Sequence, residues 1–379
     1  MPYFVGRPSV FDQREFQSYV DDIFALGVLT NNGKYAQLLE ARASEISGAT
    51  HVVALSNATV ALELLLSTLP RHSYVISPSY TFIATTTAIL RAGLRPIFVD
   101  VTDQFKIDLQ HLREILADCR AKQLHVTAIM PVNLYGGIDI DPALFEVAAA
   151  HNLKVFYDSA HTLGTSCQIY GDAEVFSLHA TKLINGFEGG LVATNNAELA
   201  LRLRQLRNFN YLTHHSGPPK STEGDFVPFC PADEEQGLYS YGTNAKLSEI
   251  HAAMALSNLN HINELIAHYK AHYERYRLLI NQRLGYEVVQ QIGPFTNYSY
   301  VVCRHPKRDA IIEYLKTHDI FARKYFYHLT HRQFGYKPQV PMSEQLVQEV
   351  FCLPTGLTID ADDVAFIAEH VVAAVLMHQ

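Results

Sequence analysis

Between residues 51 and about 205, short apolar runs take turns with longer segments of helical spacing. "HVVAL" (51–55) reads as a strand, and "TVALELLLSTL" behind it carries apolar residues at helical intervals. The pattern repeats in "YVISPS" and "FIATTTAILRAG", in "RPIFVDV" and "DLQHLREILADC", and in "HVTAIMPVN" and "DPALFEVAAAHN". "LKVFYD", "EVFSLH" and "GGLVATN" follow as further strands, then helical "AELALRLRQLR". Strands separated by helices of this length predict a mostly parallel sheet with helices on both faces. Such sheets place ligands at the carboxyl ends of their strands, so the polar loops there are where chemistry is expected.

Residues 211–245 interrupt the alternation with a stretch rich in Gly, Pro and polar residues, too long for a plain connector. It reads as a functional flap or an oligomer contact. "KLSEIHAAMALSNLNHINELIAHYKAHYERYRLLI" then predicts one long helix leading out of the large domain. Strand-like "YEVVQ" and "YSYVVC" and helix-like "RDAIIEYLKTH" and "DVAFIAEHVVAAVL" suit a smaller α/β unit. The expected division is a large domain over residues 1–250, with the linking helix and small domain over 251–379.

Composition narrows the partners. A net charge of -8 over 379 residues argues against a nucleic-acid polyanion. The five cysteines are scattered, with no CxxC pair, and read as reduced thiols of a cytoplasmic protein. There is no signal-peptide pattern at the start and no apolar run long enough to span a membrane. Histidine is plentiful, yet neither HxH nor HExxH occurs, and no metal centre is expected.

Four strand-end loops carry the candidate chemistry. "SNAT" (56–59) precedes a helix; it can cap that helix or offer its free N–H groups to a phosphate. "SPSYTFIATT" brings Tyr80 and Phe82 beside hydroxyls at another helix start, either as core or as a ligand wall. "VFYDSAHTLG" ends an apolar strand in Asp158, with His161 three residues on. A carboxylate buried there needs a partner, and a pyridinium nitrogen, an arginine or a metal would each serve. "VFSLHATKLINGFEGG" sets Lys182 between a strand-like run and a glycine-rich turn, 24 residues after Asp158. Together these loops suit pyridoxal phosphate, which needs an amine for its aldehyde, an aspartate for its ring nitrogen, a phosphate cradle and flat packing on its ring. A lysine in a dry pocket loses basicity and gains nucleophilicity.

With those residues in view, the chain resembles the sugar aminotransferases of the DegT/DnrJ/EryC1/StrS family. The resemblance runs over nearly the whole length, through "SNATVALELLL", "SPSYTFIATTTAILRAGLRPIFVDV", "MPVNLYGG", "FYDSAHTLG", "GDAEVFSLHATKLINGFEGG", "YGTNAKLSEIHAAMAL" and "FCLPTGLT". It implies the aspartate aminotransferase (fold type I) α/β architecture: a large, mostly parallel-sheet domain with a smaller C-terminal α/β domain. It makes Lys182 the Schiff-base lysine and Asp158 the partner of the pyridine nitrogen, with His161 near the cofactor's phenolic oxygen. Asn57, Ala58, Thr59 and Ser177 would hold the phosphate, and Phe82 would stack on the ring. Asn244 of "YGTNAKLSE" would reach the phosphate of the neighbouring subunit, so a homodimer is implied. The family's loop commonly reads S-N-G-T, whereas Ala58 stands at the glycine position here.

"HATK" with "FEGG" resembles members that aminate C4 of a dTDP-4-keto-6-deoxyhexose; relatives that act at C3 more often read "YPTK" or "YPGK" with "GDGG". The implied reaction is ping-pong, with L-glutamate as donor and a nucleotide-linked ketosugar as acceptor. Lys182 would move the proton, and 211–245 and "RKYFYH" (323–328) would contact the sugar nucleotide. A C3 enzyme or one using a UDP- or GDP-ketosugar is the near alternative. A dehydratase on this scaffold typically replaces the lysine by histidine, and a cofactor-binding regulator usually adds a DNA-binding segment. This chain has neither feature.

Overall fold

The computed structural model describes residues 2–8, 10–138, 140–210 and 242–378. Its centre is a seven-stranded sheet. In chain order the strands are β1 (His51–Leu55), β2 (Tyr74–Pro78), β3 (Arg95–Val99), β4 (Val126–Ile129), β5 (Lys154–Asp158), β6 (Ala173–Ser177) and β7 (Gly190–Thr194). They lie side by side in the order β1-β7-β6-β5-β4-β2-β3. Every pairing from β6 through β3 is parallel, while β7 runs antiparallel to both its neighbours.

Alternation along single strands explains why both faces are covered. Val52 and Ala54 of β1 enter one core, and Val53 and Leu55 enter the other. The first core is closed by α1 (Gln13–Leu26) and α2 (Lys34–Ser47), the second by α3 (Ala58–Leu66), α4 (Ile83–Arg91) and α7 (Ala197–Leu206). Between them in sequence, α5 (Leu109–Ala121) and α6 (Pro142–Ala150) cover β2–β5 through Ile76, Ile129 and Val155.

The long helix expected after residue 245 is broken at His261 into α8 (Glu249–Asn260) and α9 (Ile262–Leu284). Helix α8 is nearly all buried and packs with the large sheet, as does the start of α9 up to Tyr269. From Tyr273 onward α9 joins another core, with α10 (Arg308–Lys316) and α12 (Ala361–Met377). The expected strand in "YEVVQ" is reduced to a single bridge, Val289 to Cys303. A three-stranded antiparallel sheet completes this C-terminal unit: β8 (Val301–Arg304), β9 (Arg323–Lys324) and β10 (Val350–Leu353), with β10 central.

The two bodies meet across an aromatic core of Tyr80, Phe105, Tyr135, Tyr300, Tyr325 and Phe326. Polar bonds stitch the same seam. Asp100, just past β3, accepts the N–H groups of Met342 and Ser343 (both 2.8 Å) and the Ser343 hydroxyl (2.6 Å). These are the first residues of α11 (Pro341–Glu349), whose positive end favours a carboxylate. The Ser79 hydroxyl meets His331 Nδ1 at 2.6 Å, and the Ser79 carbonyl accepts from Thr330.

Candidate active site

At the carboxyl ends of the parallel strands lies a cavity of about 200 Å³. Asn57, Ala58, Thr59, Phe82, Asp158, His161, Ser177 and Lys182, the residues singled out from sequence, all line it. Asn244 does not: it is exposed, and its side chain accepts from Lys246 Nζ at 2.6 Å. The 211–241 part of the proposed flap lies outside the described residues.

Helix α3 begins at one end of this cavity. Asn57 is its N-cap, with extended backbone and a side chain that accepts from Val60 N at 2.9 Å. The next two N–H groups, of Ala58 and Thr59, have no acceptor among the described residues, which leaves an anion cradle open to the cavity. Strand β7 passes hard against this turn. A Cβ on Gly190 would stand 2.5 Å from the Asn57 carbonyl carbon and 2.6 Å from Ala58 N. The second glycine of "FEGG" therefore has a packing reason: only a bare backbone lets β7 lie against the cradle.

Asp158 ends β5 and is 4% exposed. Its Oδ2 accepts from Thr85 Oγ1 at 2.7 Å and its Oδ1 from Ala160 N at 3.2 Å. Burial pushes its pKa up; those two bonds and the charge of Lys182 oppose the rise. No cation bonds to it among the described residues, so this carboxylate is incompletely compensated and suits a ligand with a positive nitrogen.

Lys182 sits in the loop between β6 and β7, held by a Lys182 N to His179 O turn. Protein surrounds it except toward the cavity. Desolvation lowers its pKa to about 8; Asp158 pulls the other way, and Arg323 adds to the depression. Its Nζ donates to the Tyr300 hydroxyl at 3.3 Å. His161 Nδ1 accepts from Tyr135 N at 3.0 Å, so the neutral ring carries its proton on Nε2. Burial drives its pKa far down, with Lys182 and Arg323 reinforcing the shift, and the ring stays neutral. Nε2–H is then a fixed donor.

Two groups behind the lining bond to its key side chains: Thr85, a hydroxyl of "SPSYTFIATT", holds Asp158, and Tyr300, in strand-like "YSYVVC", holds Lys182. Arg323 and Tyr325 were grouped with the sugar contacts, yet both line the cavity that holds Lys182. Among the described residues no group of three or more potential metal ligands occurs, and no helix is long and apolar enough to cross a membrane.

Residues 11–372 match the DegT/DnrJ/EryC1/StrS aminotransferase family. The chain belongs to that family. This aminotransferase is 30% identical over 382 residues to a dTDP-4-amino-4,6-dideoxy-D-glucose transaminase of Shigella dysenteriae, covering 97% of each chain. It is 31% identical over 371 residues to the Escherichia coli enzyme of the same name, with 92% of each covered. Among solved structures it superposes with a TM-score of 0.84 on DesI in the presence of its TDP-sugar product, at 32% identity, covering 100% of this chain and 95% of that one. Pyridoxal phosphate is the cofactor of the family. The aminotransferase's cavity fits it on three counts: an anion cradle at α3, a buried carboxylate lacking a cation, and a lysine of lowered basicity.

Proposed function

We propose that this aminotransferase moves an amino group from L-glutamate to C4 of a dTDP-linked 4-keto-6-deoxyhexose, working as a cytoplasmic homodimer. The observation that carries the reading is the pairing in one cavity of an incompletely compensated Asp158 carboxylate and a Lys182 amine of pKa about 8. The choice of sugar is supported by the similarity to the two dTDP-4-amino-4,6-dideoxy-D-glucose transaminases and to DesI.

In this scheme the N–H groups of Ala58 and Thr59, with Asn57 and Ser177, hold the cofactor's phosphate. Phe82 would pack on its ring, Asp158 would keep a positive charge on its nitrogen, and His161 Nε2–H would be the donor offered to its phenolic oxygen. When bound, the cofactor supplies an electron sink for the carbon that loses its proton. Lys182 would be the amine that holds the cofactor, and its Nζ, once displaced by the donor's amine, would take the proton from the donor's Cα. An amine with pKa near 8 is largely protonated at neutrality yet releases its proton at small cost, as a base working in both directions needs. Tyr300 holds that Nζ in place between transfers. Aromatic walls from Phe82, Tyr325 and Phe326 limit water at the reacting atoms. Asn244, exposed on its own subunit, is free to complete a partner's phosphate site.

The test is a panel of dTDP-, UDP- and GDP-linked 3- and 4-ketosugars with L-glutamate, the product read by NMR. A 4-amino product from the dTDP-4-keto sugar is expected. A faster 3-keto substrate would reverse the regiochemistry, and equal rates with a free ketosugar would sink the nucleotide-sugar assignment.

A further inference from the structure

The wall of the cavity contributed by the C-terminal unit carries a charge that the scheme above leaves unused. Arg323 opens β9, the edge strand of the small sheet, and lines the cavity beside Tyr325 and Phe326. Among the described residues its guanidinium has no hydrogen bond and no ion pair; it lies over the Tyr325 ring, 5.1 Å from the centroid. Other partly buried arginines differ. Arg207 pairs with Glu40, Arg304 with Glu349 and Arg308 with Asp309. Even the adjacent Lys324 is engaged, with Asp309 at 2.9 Å. A guanidinium held unpaired beside another cation is unfavourable until an anion arrives.

Four anions could arrive. The cofactor's phosphate has its own donors at the start of α3, on the large domain, whereas Arg323 projects from the opposite body. That leaves the donor's α- and γ-carboxylates and the diphosphate of the sugar nucleotide. Position separates them, the γ-carboxylate being two carbons further from the reacting centre than the α-carboxylate. Tyr325, under the guanidinium, packs edge-on against Tyr300 at 5.5 Å, and the Tyr300 hydroxyl is 3.3 Å from Lys182 Nζ. An α-carboxylate is bonded to the very carbon that bears the transferred amine, so its anchor must lie close to the reacting nitrogen. A diphosphate is removed from C4 by the pyranose ring and the glycosidic oxygen. A flat guanidinium resting on a tyrosine face also matches a flat carboxylate, two bonds to two oxygens.

We propose that Arg323 is the α-carboxylate anchor of the amino donor, and of the keto acid it becomes, so that α-amino acids are selected over plain amines. The proposal rests on the aminotransferase reading. It has a consequence for Lys182: the arriving carboxylate neutralises a charge that depresses the lysine's basicity, so donor binding raises proton affinity where the proton must land.

The experiment compares L-glutamate with 4-aminobutanoate, which is glutamate without the α-carboxylate, in single turnovers followed by the bound cofactor's absorbance. The wild-type protein should prefer glutamate strongly. Arg323→Gln should lose about a hundredfold or more in kcat/KM for glutamate, mostly as weaker saturation, with 4-aminobutanoate hardly changed. Arg323→Lys should fall between, because it keeps the charge and loses the fork. The ketosugar half-reaction, started from the pyridoxamine-loaded protein, should lose at least about tenfold less than the glutamate half-reaction. Succinate, which has carboxylates and no amine, gives a readout without turnover: calorimetry should show binding to wild type and its loss in Arg323→Gln. Equal losses for both amines, or unchanged succinate binding, overturn the anchor. A defect confined to the ketosugar half-reaction assigns Arg323 to the diphosphate instead. A wild-type protein that no α-amino acid converts would refute the aminotransfer reading itself, and succinate binding would still test the arginine.

Discussion

Asp158→Asn separates the cost of burying a charge from the benefit of placing one. In the cofactor-free protein the carboxylate is buried with two neutral donors, Thr85 and Ala160, and its pKa is raised by desolvation. A carboxylate whose folded pKa is raised binds its proton more tightly folded than unfolded. It therefore costs nothing at low pH and lowers stability as pH climbs through the raised value. Asparagine keeps an oxygen for Thr85 and carries no charge. The cofactor-free variant should accordingly melt at or above the wild-type temperature at pH 7 to 8, and this advantage should vanish toward pH 4. With pyridoxal phosphate bound the order reverses, because the variant no longer pairs with the ring nitrogen. Removing one partner of a buried ion pair costs about 3–5 kcal/mol, which corresponds to roughly two to four orders of magnitude in an equilibrium or a rate. Calorimetric melts across pH, cofactor titration by absorbance, and turnover measure the three quantities. A cofactor-free variant several degrees less stable, with cofactor affinity and turnover intact, would make Asp158 a structural acceptor and refute the reasoning.

Capture of pyridoxal phosphate by the cofactor-free protein should accelerate with pH around a midpoint near 8, because Lys182 must be unprotonated to attack and burial has lowered its pKa to about that value. Borohydride should then fix the cofactor on the peptide containing Lys182, and a label on another lysine rejects the assignment. Gly190→Ala should weaken cofactor binding and destabilise the fold by about 1–3 kcal/mol through its clash with the α3 turn; unchanged titration and melting would show that the strand can retreat. Mixing inactive Lys182→Ala with an inactive Asn244→Ala variant and allowing subunits to exchange should restore activity through hybrid dimers. Failure to recover any would count against a shared site.

The strand ends were readable because apolar runs stop abruptly there, and a charged residue at such a stop is conspicuous: Asp158 after "LKVFY" and Lys182 after "EVFSLHAT". Direction was harder to read. "GGLVATN" has the composition of one more parallel strand, yet β7 is antiparallel, and the only hint is that no helix intervenes between Ser177 and Gly190. Tyr300 and Arg323 lie more than 110 residues after Lys182. Nothing in periodicity places the Tyr300 hydroxyl on Lys182 or sets Arg323 in the same cavity; the packing of the C-terminal unit does that. The break at His261 was likewise hidden, since helical spacing continues on both sides of it.

The seam at Asp100 bears on how substrates are admitted. Three hydrogen bonds tie the end of β3 to the first turn of α11, and Ser79 is tied to Thr330 and His331 close by. Swinging the C-terminal unit outward would strand a buried carboxylate and split the aromatic core behind it. The wall bearing Arg323 is thus docked by the protein's own bonds and core, so that moving it would cost those contacts whether or not a ligand is present. Donor and acceptor must then enter in turn through a fixed doorway, and the envelope measured by small-angle scattering should be the same for the empty and the loaded protein.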